Sequence, residues 1–411
     1  MLHLKPIFSA LLRNRIAAGV IAVQIALTLA IVVNCAYLVV ERVSDMARPS
    51  GYDEDNMLTI RVTAMDPTRT DIRAETQADL AVLRAMPGVV GATATNALPL
   101  GRGGWAWSLS NSLEKAGSGR DEDSEGAAIY MVDEMGIDAT GIELSRGRFF
   151  RAEEVVDLTQ SGDASPSTIV ISDALATALF GDEDPIGKPV WLNSEPGRAP
   201  PIVVGTAKRL QAPWTSWQNT EQAAMVPYRF LYPHRTYLIR TEPGQREAVM
   251  GQVEKVLADR DSQRIISGLR SYAEIRERGY REQRAMAWIL TATMISLSLV
   301  TALGIVGMAS FWVTQRIKQI GTRRALGARR FDVRRYFQVE NGLISVGGIL
   351  IGMALAWGLN VWLVSALALP KLPLAYLPIA ALAVFVLGQL SVLGPARRAS
   401  LVSPAVATRT V

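Results

Sequence analysis

The residues best suited to chemistry lie in one crowded stretch, Arg316–Asn341 (RIKQIGTRRALGARRFDVRRYFQVEN), with eight Lys/Arg against two acids, Asp332 and Glu340. Ile317, Ile320, Leu326 and Phe331 stand among these cations, and Gly321 and Gly327 permit bends. A short helix with an apolar edge and a basic rim would dock in a groove of another protein. The same cations would also set membrane orientation and grip anionic headgroups, so physics alone leaves both readings open. The inventory for catalysis is thin. No GxxxxGK[ST] loop is present to cradle phosphates, and neither a GxSxG elbow nor an HExxH helix occurs. Two histidines, His3 and His234, and one cysteine, Cys35, cannot supply a His/Cys metal site. The acidic run Asp182-Glu183-Asp184, set among Gly181, Pro185 and Gly187, reads as an exposed turn rather than a cation site. The expectation is a chain with no catalytic and no metal-ligating residues.

The elements that must position the basic stretch are apolar. Four hydrophobic blocks, Ile16–Val40, Ala285–Thr314, Leu343–Leu369 and Leu377–Leu393, are each suited to crossing hydrocarbon. The expected spans are 16–41, 285–314, 343–369 and 377–394, with 315–342 as a loop between the second and third. Lys5, Arg13 and Arg15 before the first span, the basic loop, and Arg397, Arg398 and Arg409 after the last give a positive-inside pattern. Both termini (1–15 and 395–411) and the loop are therefore expected in the cytoplasm, and 42–284 outside it. This distribution, rather than nucleic acid, accounts for the net charge of +5. Arg276, Arg278, Arg281 and Arg284 run against the pattern, but they alternate with Glu274, Glu277 and Glu282, and long domains translocate largely regardless of charge. Cys35 falls within the first span, which reads as an uncleaved anchor, so the outer region has no disulfide. Met1–Arg15 reads either as an amphipathic helix on the inner leaflet or as a disordered start.

The spans hold uncharged polar residues, Gln24, Asn34, Asn360 and Gln389, and no ionisable ones, which disfavours ion coupling. These four suit helix–helix hydrogen bonds or a substrate path. Gly348, Gly352 and Ala356 form a small-residue stripe, and Gly304 and Gly307 are candidates for the same use, either as packing within the chain or as an oligomer interface. The second block, at about 1.5 Å per residue, outruns the bilayer, and Tyr272–Arg284 would extend it outward as a stalk. In the outer region, Asn56–Val62, Asp71–Met86 and Val89–Thr95 read as strand, helix and strand. Thr236–Arg240, Gly244–Ala258 and Arg264–Gly268 repeat that order. The two halves are expected to pair into one split α+β subdomain, 56–99 with 227–270, around an inserted subdomain, 100–226. Ser110–Gly126 reads as a mobile loop. Trp105, Trp107, Trp214 and Trp217 could form an apolar contact surface or core packing.

GTRRALGARRFDVRRYFQVENGLISVGGILIG resembles the signature of FtsX-type permeases, with Ala325-Leu326-Gly327-Ala328, Glu340 and Gly348/Gly352 at its positions. The closing PARRASLVSPAVATRT is similar to that family's end, with Gln319 and Thr408 as departures. Met135–Glu154, with its G-R-x-F turn, and Ser167–Val190 followed by Ile202–Gly205 resemble the MacB-type periplasmic core. The resemblance implies a four-helix membrane permease with an α+β periplasmic domain of two subdomains on helical stalks, in the bacterial inner membrane. It implies an ABC ATPase acting in trans, binding ATP and Mg itself and gripping Ile320, Gly321, Arg323, Arg324, Ala325, Leu326, Gly327, Ala328 and Glu340. A second permease, a periplasmic adaptor, an outer-membrane channel and membrane lipid are the further implied partners. Three functions fit: efflux, extraction of lipoproteins or lipids, and FtsX-like regulation of a periplasmic hydrolase without transport.

Overall fold

The computed structural model describes residues 15–159, 165–192, 197–367 and 371–403. The N-terminal segment up to Asn14, Ala368 and Leu369 at the end of the third apolar block, and the tail with Thr408 and Arg409 lie outside them. Ala47–Glu282 form one compact unit, and Met1–Met46 with Gln283–Val411 form a second.

The described residues open with α1 (Arg15–Ala47), then β1 (Met57–Ala64), α2 (Ile72–Ala85) and β2 (Val89–Thr95). β3 (Trp105–Ser110), α3 (Leu113–Ala116), β4 (Glu125–Val132), α4 (Gly136–Thr140), β5 (Leu144–Gly147) and β6 (Val156–Leu158) follow. Next come β7 (Thr168–Ser172), α5 (Asp173–Phe180), β8 (Trp191–Leu192), β9 (Ile202–Ala207) and β10 (Ala223–Phe230). β11 (His234–Thr241), α6 (Arg246–Ala258), β12 (Arg264–Ser271) and α7 (Tyr272–Gly279) precede α8 (Arg281–Gln315), α9 (Ile317–Ala325), α10 (Arg330–Leu367) and α11 (Tyr376–Ser400).

In the large unit the two distant halves share one antiparallel sheet, ordered β12-β1-β11-β2. Alternation along β1 sends Leu58, Ile60 and Val62 to one face, where Leu80 and Leu83 of α2 and Val249, Val253 and Leu257 of α6 cover them. The insertion forms an eight-stranded mixed sheet, β5-β9-β7-β10-β4-β3-β8, with β6 beside β10. Its end lies later than the expected 226. β10 stays in the ladder, Pro227 opposite Val132 and Phe230 opposite Leu158, and only then does the chain cross to β11. Ser110–Gly126 is not structureless throughout: Ser112 Oγ accepts from Lys115 N at 3.3 Å and starts α3, and β4 is already formed at Glu125. The G-R-x-F turn has a physical basis. Gly147, at φ +74°, leaves no room for a Cβ against Val204 O, and Arg148 clasps Glu154 with two bonds of 2.8 and 2.6 Å. The Arg148 guanidinium holds the Glu154 carboxyl below its ordinary range.

A buried ion network, unannounced by any local pattern, pins α2 to the sheet. Asp79 receives Arg264 Nη1 at 2.6 Å, the Tyr237 hydroxyl at 2.8 Å and Arg260 Nε at 3.2 Å. Glu75 meets Arg235 at 2.6 Å and Arg264 at 3.0 Å. Burial holds the Tyr237 phenol well above its ordinary value, so its hydroxyl stays protonated and donates.

α7 and α8 are separate helices rather than one continuous stalk. Ser271 Oγ caps α7 by accepting from Glu274 N at 3.3 Å, and the chain leaves helical geometry at Tyr280. Gly279 is pressed against Leu100, whose carbonyl would lie 2.8 Å from a Cβ there.

In the second unit α1, α8, α10 and α11 are long and apolar enough to cross a membrane. Their extents exceed the expected spans: α8 begins at Arg281, α10 at Arg330 and α11 runs to Ser400. The small-residue stripe is a seam within the chain. A Cβ on Gly348 would lie 2.7 Å from Ala22 O, and one on Gly352 2.9 Å from Ala26 Cα and O. Ala356 is fully buried, and its carbonyl accepts from Asn34 Nδ2 at 3.2 Å. Gly304 faces the Gln24 side chain, 2.6 Å from a Cβ position. Gly307 was expected in the same role, but among the described residues no atom lies within 4 Å of its Cβ position. Gln24 bonds Val300 O at 3.1 Å and Asn360 bonds Asn34 at 3.3 Å, both across helices. Gln389 Nε2 is buried and makes no hydrogen bond among the described residues.

Gly352→Leu is therefore expected to wedge α1 from α10 and cost about 1–3 kcal/mol, read as a lower melting temperature in detergent. Gly307→Ala should leave the melting temperature unchanged. Equal effects from the two would refute the seam.

Candidate functional site

The basic stretch resolves into a short helix between two long ones. α9 is joined to α8 through Arg316 and to α10 by a turn at Gly327, whose φ of +96° suits a residue without a side chain. The expected loop 315–342 is thus much shorter, because Arg330–Gly342 already belong to α10. Asp332 starts that helix by accepting from Arg329 N at 2.9 Å.

Expected docking residues separate into an inner and an outer set. Ile320 and Gly321 point inward, and Ile320 packs with Val313 of α8, Val333 and Phe337 of α10, and Ala396 and Ala399 of α11. Both are buried, and Ile320 forms the root by which α9 is held to three membrane-length helices. Glu340 is also interior: it is 1% exposed, lies on α10 rather than in a loop, and receives Arg316 Nη1 at 2.9 Å on both oxygens. Glu340 precedes the expected third span, 343–369, and pairs with Arg316 in the charged first turns of α10, which also carry Arg330, Asp332, Arg334 and Arg335. Arg324 donates to Val402 O, tying α9 to the chain after α11, and Arg323 lies over the Tyr336 ring at 5.1 Å.

What remains outside includes two large apolar side chains. Leu326 is 84% exposed and Phe331 66%, on either side of the Gly327 turn. Arg323, Ala325, Arg329 and Arg330 are exposed with them, and Ala328 is half-buried. The arrangement is a convex apolar tip with a cationic collar on a firmly rooted short helix. It has no catalytic constellation; its chemistry is that of contact. Sequence reasoning missed Arg316 as the partner of Glu340, although its position at the α8–α9 joint and the lone interior acid were both visible.

The other candidates in the large unit bind to their own neighbours. Glu183 pairs with Lys188, and Asp184 approaches Arg146 at 3.5 Å. Trp214 and Trp217 stack edge-on at 5.4 Å, whereas Trp105 meets Phe230 and Tyr232, and Trp107 packs on the larger core.

Four membrane-length helices, a two-sheet α+β unit between the first and second, and a rooted basic tip define a membrane-embedded permease. Residues 16–256 match the MacB-like periplasmic core domain and 291–404 the FtsX-like permease C-terminal family; the chain belongs to this MacB/FtsX-type permease family. It is 28% identical over 257 residues to the macrolide export ATP-binding/permease protein MacB of Vibrio parahaemolyticus, covering 61% of this chain and 37% of that protein. Against MacB of Agrobacterium fabrum the identity is 26% over 238 residues, with 54% and 33% covered. The chain spans about a third of the length of these curated relatives. Among solved structures, the periplasmic region of MacB from Actinobacillus actinomycetemcomitans aligns with 55% of this chain and 93% of that one, at 16% identity and a TM-score of 0.34.

Proposed function

We propose that this chain is the membrane subunit of an ABC transporter and couples ATP hydrolysis in a separate ATPase to movement of its large, periplasmic unit. The observation that carries this reading is the division of α9 into an exposed tip, Leu326 and Phe331, and a buried root at Ile320. An apolar tip in a groove, ringed by arginines, is a surface another protein can grip. Because the root touches α8, α10 and α11 together, force on the tip is shared among three helices. The Arg316–Glu340 pair keeps the α8–α9 joint from swinging independently of α10. The positive-inside distribution supports a cytoplasmic tip and cytoplasmic termini in a bacterial inner-membrane protein. Nucleotide and Mg belong to the ATPase, and two permeases pair. The relatives whose names include macrolide export favour efflux, with a periplasmic adaptor and an outer-membrane channel.

The test is to affinity-purify the tagged chain from native membranes in mild detergent and identify its companions by mass spectrometry. An ABC ATPase together with an adaptor is the expected result. Recovery of no ATPase, where a control transporter keeps its own, would overturn the proposal.

A further inference from the structure

The four-stranded sheet has a second face, turned away from α2 and α6. Thr59 and Arg61 of β1 point there, since they alternate with the core residues Leu58, Ile60 and Val62. The ladder sets Arg270 opposite Thr59 and Thr236 opposite Arg61. A cleft of about 290 Å³ opens over this face, walled by the Leu98–Arg102 turn and by α7 with its continuation to Arg281, all within the large unit. Five of its lining residues are arginines, Arg61, Arg102, Arg270, Arg278 and Arg281, and none is acidic. Among the described residues Arg102 pairs with Glu282, whereas Arg61, Arg270, Arg278 and Arg281 have no carboxylate partner.

Other arginines of this unit are matched: Arg276, on the same helix, pairs with Glu54 at 2.7 Å, and Arg235 and Arg264 have Glu75 and Asp79. Four unmatched guanidinium groups in one concavity repel one another, and packing alone gives no reason to gather them. The backbone of the wall is also costly. Leu100 and Arg102 adopt φ values of 63° and 68°, in the left-handed region that side chains disfavour. The surroundings enforce it: Arg102 N donates to Pro213 O at 3.1 Å, and the Tyr272 hydroxyl donates to Pro99 O at 2.9 Å. Backbone strain held in place beside uncompensated charge is characteristic of ligand sites.

The geometry points to this cleft as a binding site for a phosphate-bearing anion. Planar guanidinium forks match the oxygens of a phosphate, and several of them spread around one concavity outcompete water for it. Arg281 opens α8, whose apolar run begins at Ala285, about one helical turn further on. Lipid headgroups and soluble anions both carry a phosphate of this kind. The site also gives a use to two of the arginines that run against the positive-inside pattern, Arg278 and Arg281, and it rests on nothing at the Leu326 end of the chain.

The full chain in neutral detergent would be titrated calorimetrically with inorganic phosphate, with dihexanoyl phosphatidylglycerol below its micelle concentration, and with acetate. A phosphate-bearing probe is expected to bind, and Arg61→Ala/Arg270→Ala to lose about tenfold or more in affinity. The melting temperature of that variant should not fall, because it relieves like-charge repulsion. Arg278→Ala, on the exposed side of α7, provides the same test without touching the sheet. Tighter phosphatidylglycerol assigns the site to lipid headgroups; tighter inorganic phosphate assigns it to soluble phosphates. No binding of either probe, binding unchanged in both variants, or acetate bound as tightly as the phosphates would overturn the proposal.

Discussion

Leu326→Asp is expected to strip the ATPase from the purified complex while leaving the chain folded and inserted. Leu326 is 84% exposed, so no packing among the described residues depends on it, and the substitution should alter stability by no more than about 0.5 kcal/mol. At an interface the arithmetic reverses. A central apolar anchor contributes about 2 kcal/mol or more, roughly a thirtyfold change in affinity. A carboxylate in its place must also be desolvated inside a groove, which adds to the loss. Phe331→Asp, across the Gly327 turn, should act in the same direction. Ile320→Asp makes the contrast: it is buried among Val333, Phe337 and Ala396, and should destabilise the membrane unit itself. The measurement is the ATPase recovered per permease, with ATP turnover, alongside the melting temperature. If Leu326→Asp keeps the wild-type share of ATPase, the tip is not the docking surface.

Asp79→Ala carries the largest expected effect on stability. It leaves the wholly buried Arg264 side chain without its 2.6 Å partner and takes the Tyr237 hydroxyl's acceptor away. Breaking one side of a buried ion network costs about 3–5 kcal/mol, a large share of the roughly 5–15 kcal/mol that holds a domain together. For a unit of this size that is a fall of roughly 6–20 °C in melting temperature. Asp79→Asn keeps the shape and part of the hydrogen bonding, and should fall between. A shift of only a degree or two for Asp79→Ala would mean that water or Glu75 compensates and that the network is not what pins α2 to the sheet.

The split sheet was legible because each half carries its own period: alternation in Met57–Ala64 and a helical stripe in Ile72–Ala85 are local patterns. The second pair repeats them in His234–Thr241 and Arg246–Ala258. The end of the insertion was not legible, since the run from Ala223 to Phe230 reads as strand whichever sheet receives it, and only pairing with β4 and β6 decides. Glycine spacing suggested close helix contacts in the same way for Gly352 and Gly307. One meets Ala26 and the other meets nothing among the described residues, a difference of helix rotation that spacing does not encode.

The basic stretch divides along the same line. Its residue types and its setting between apolar blocks determined that it would be a short cationic connection with an apolar edge, because hydropathy is local. Which residues form the edge was decided by tertiary structure: packing of α9 on α8, α10 and α11 turned Ile320 inward and left Leu326 outside. Charges behave likewise. The sequence by itself determined how many arginines precede α8, but not that Arg276 would find Glu54, 222 residues away, while Arg278 and Arg281 would face an open cleft. Ion pairing depends on distance in space, and folding brings those groups together or keeps them apart.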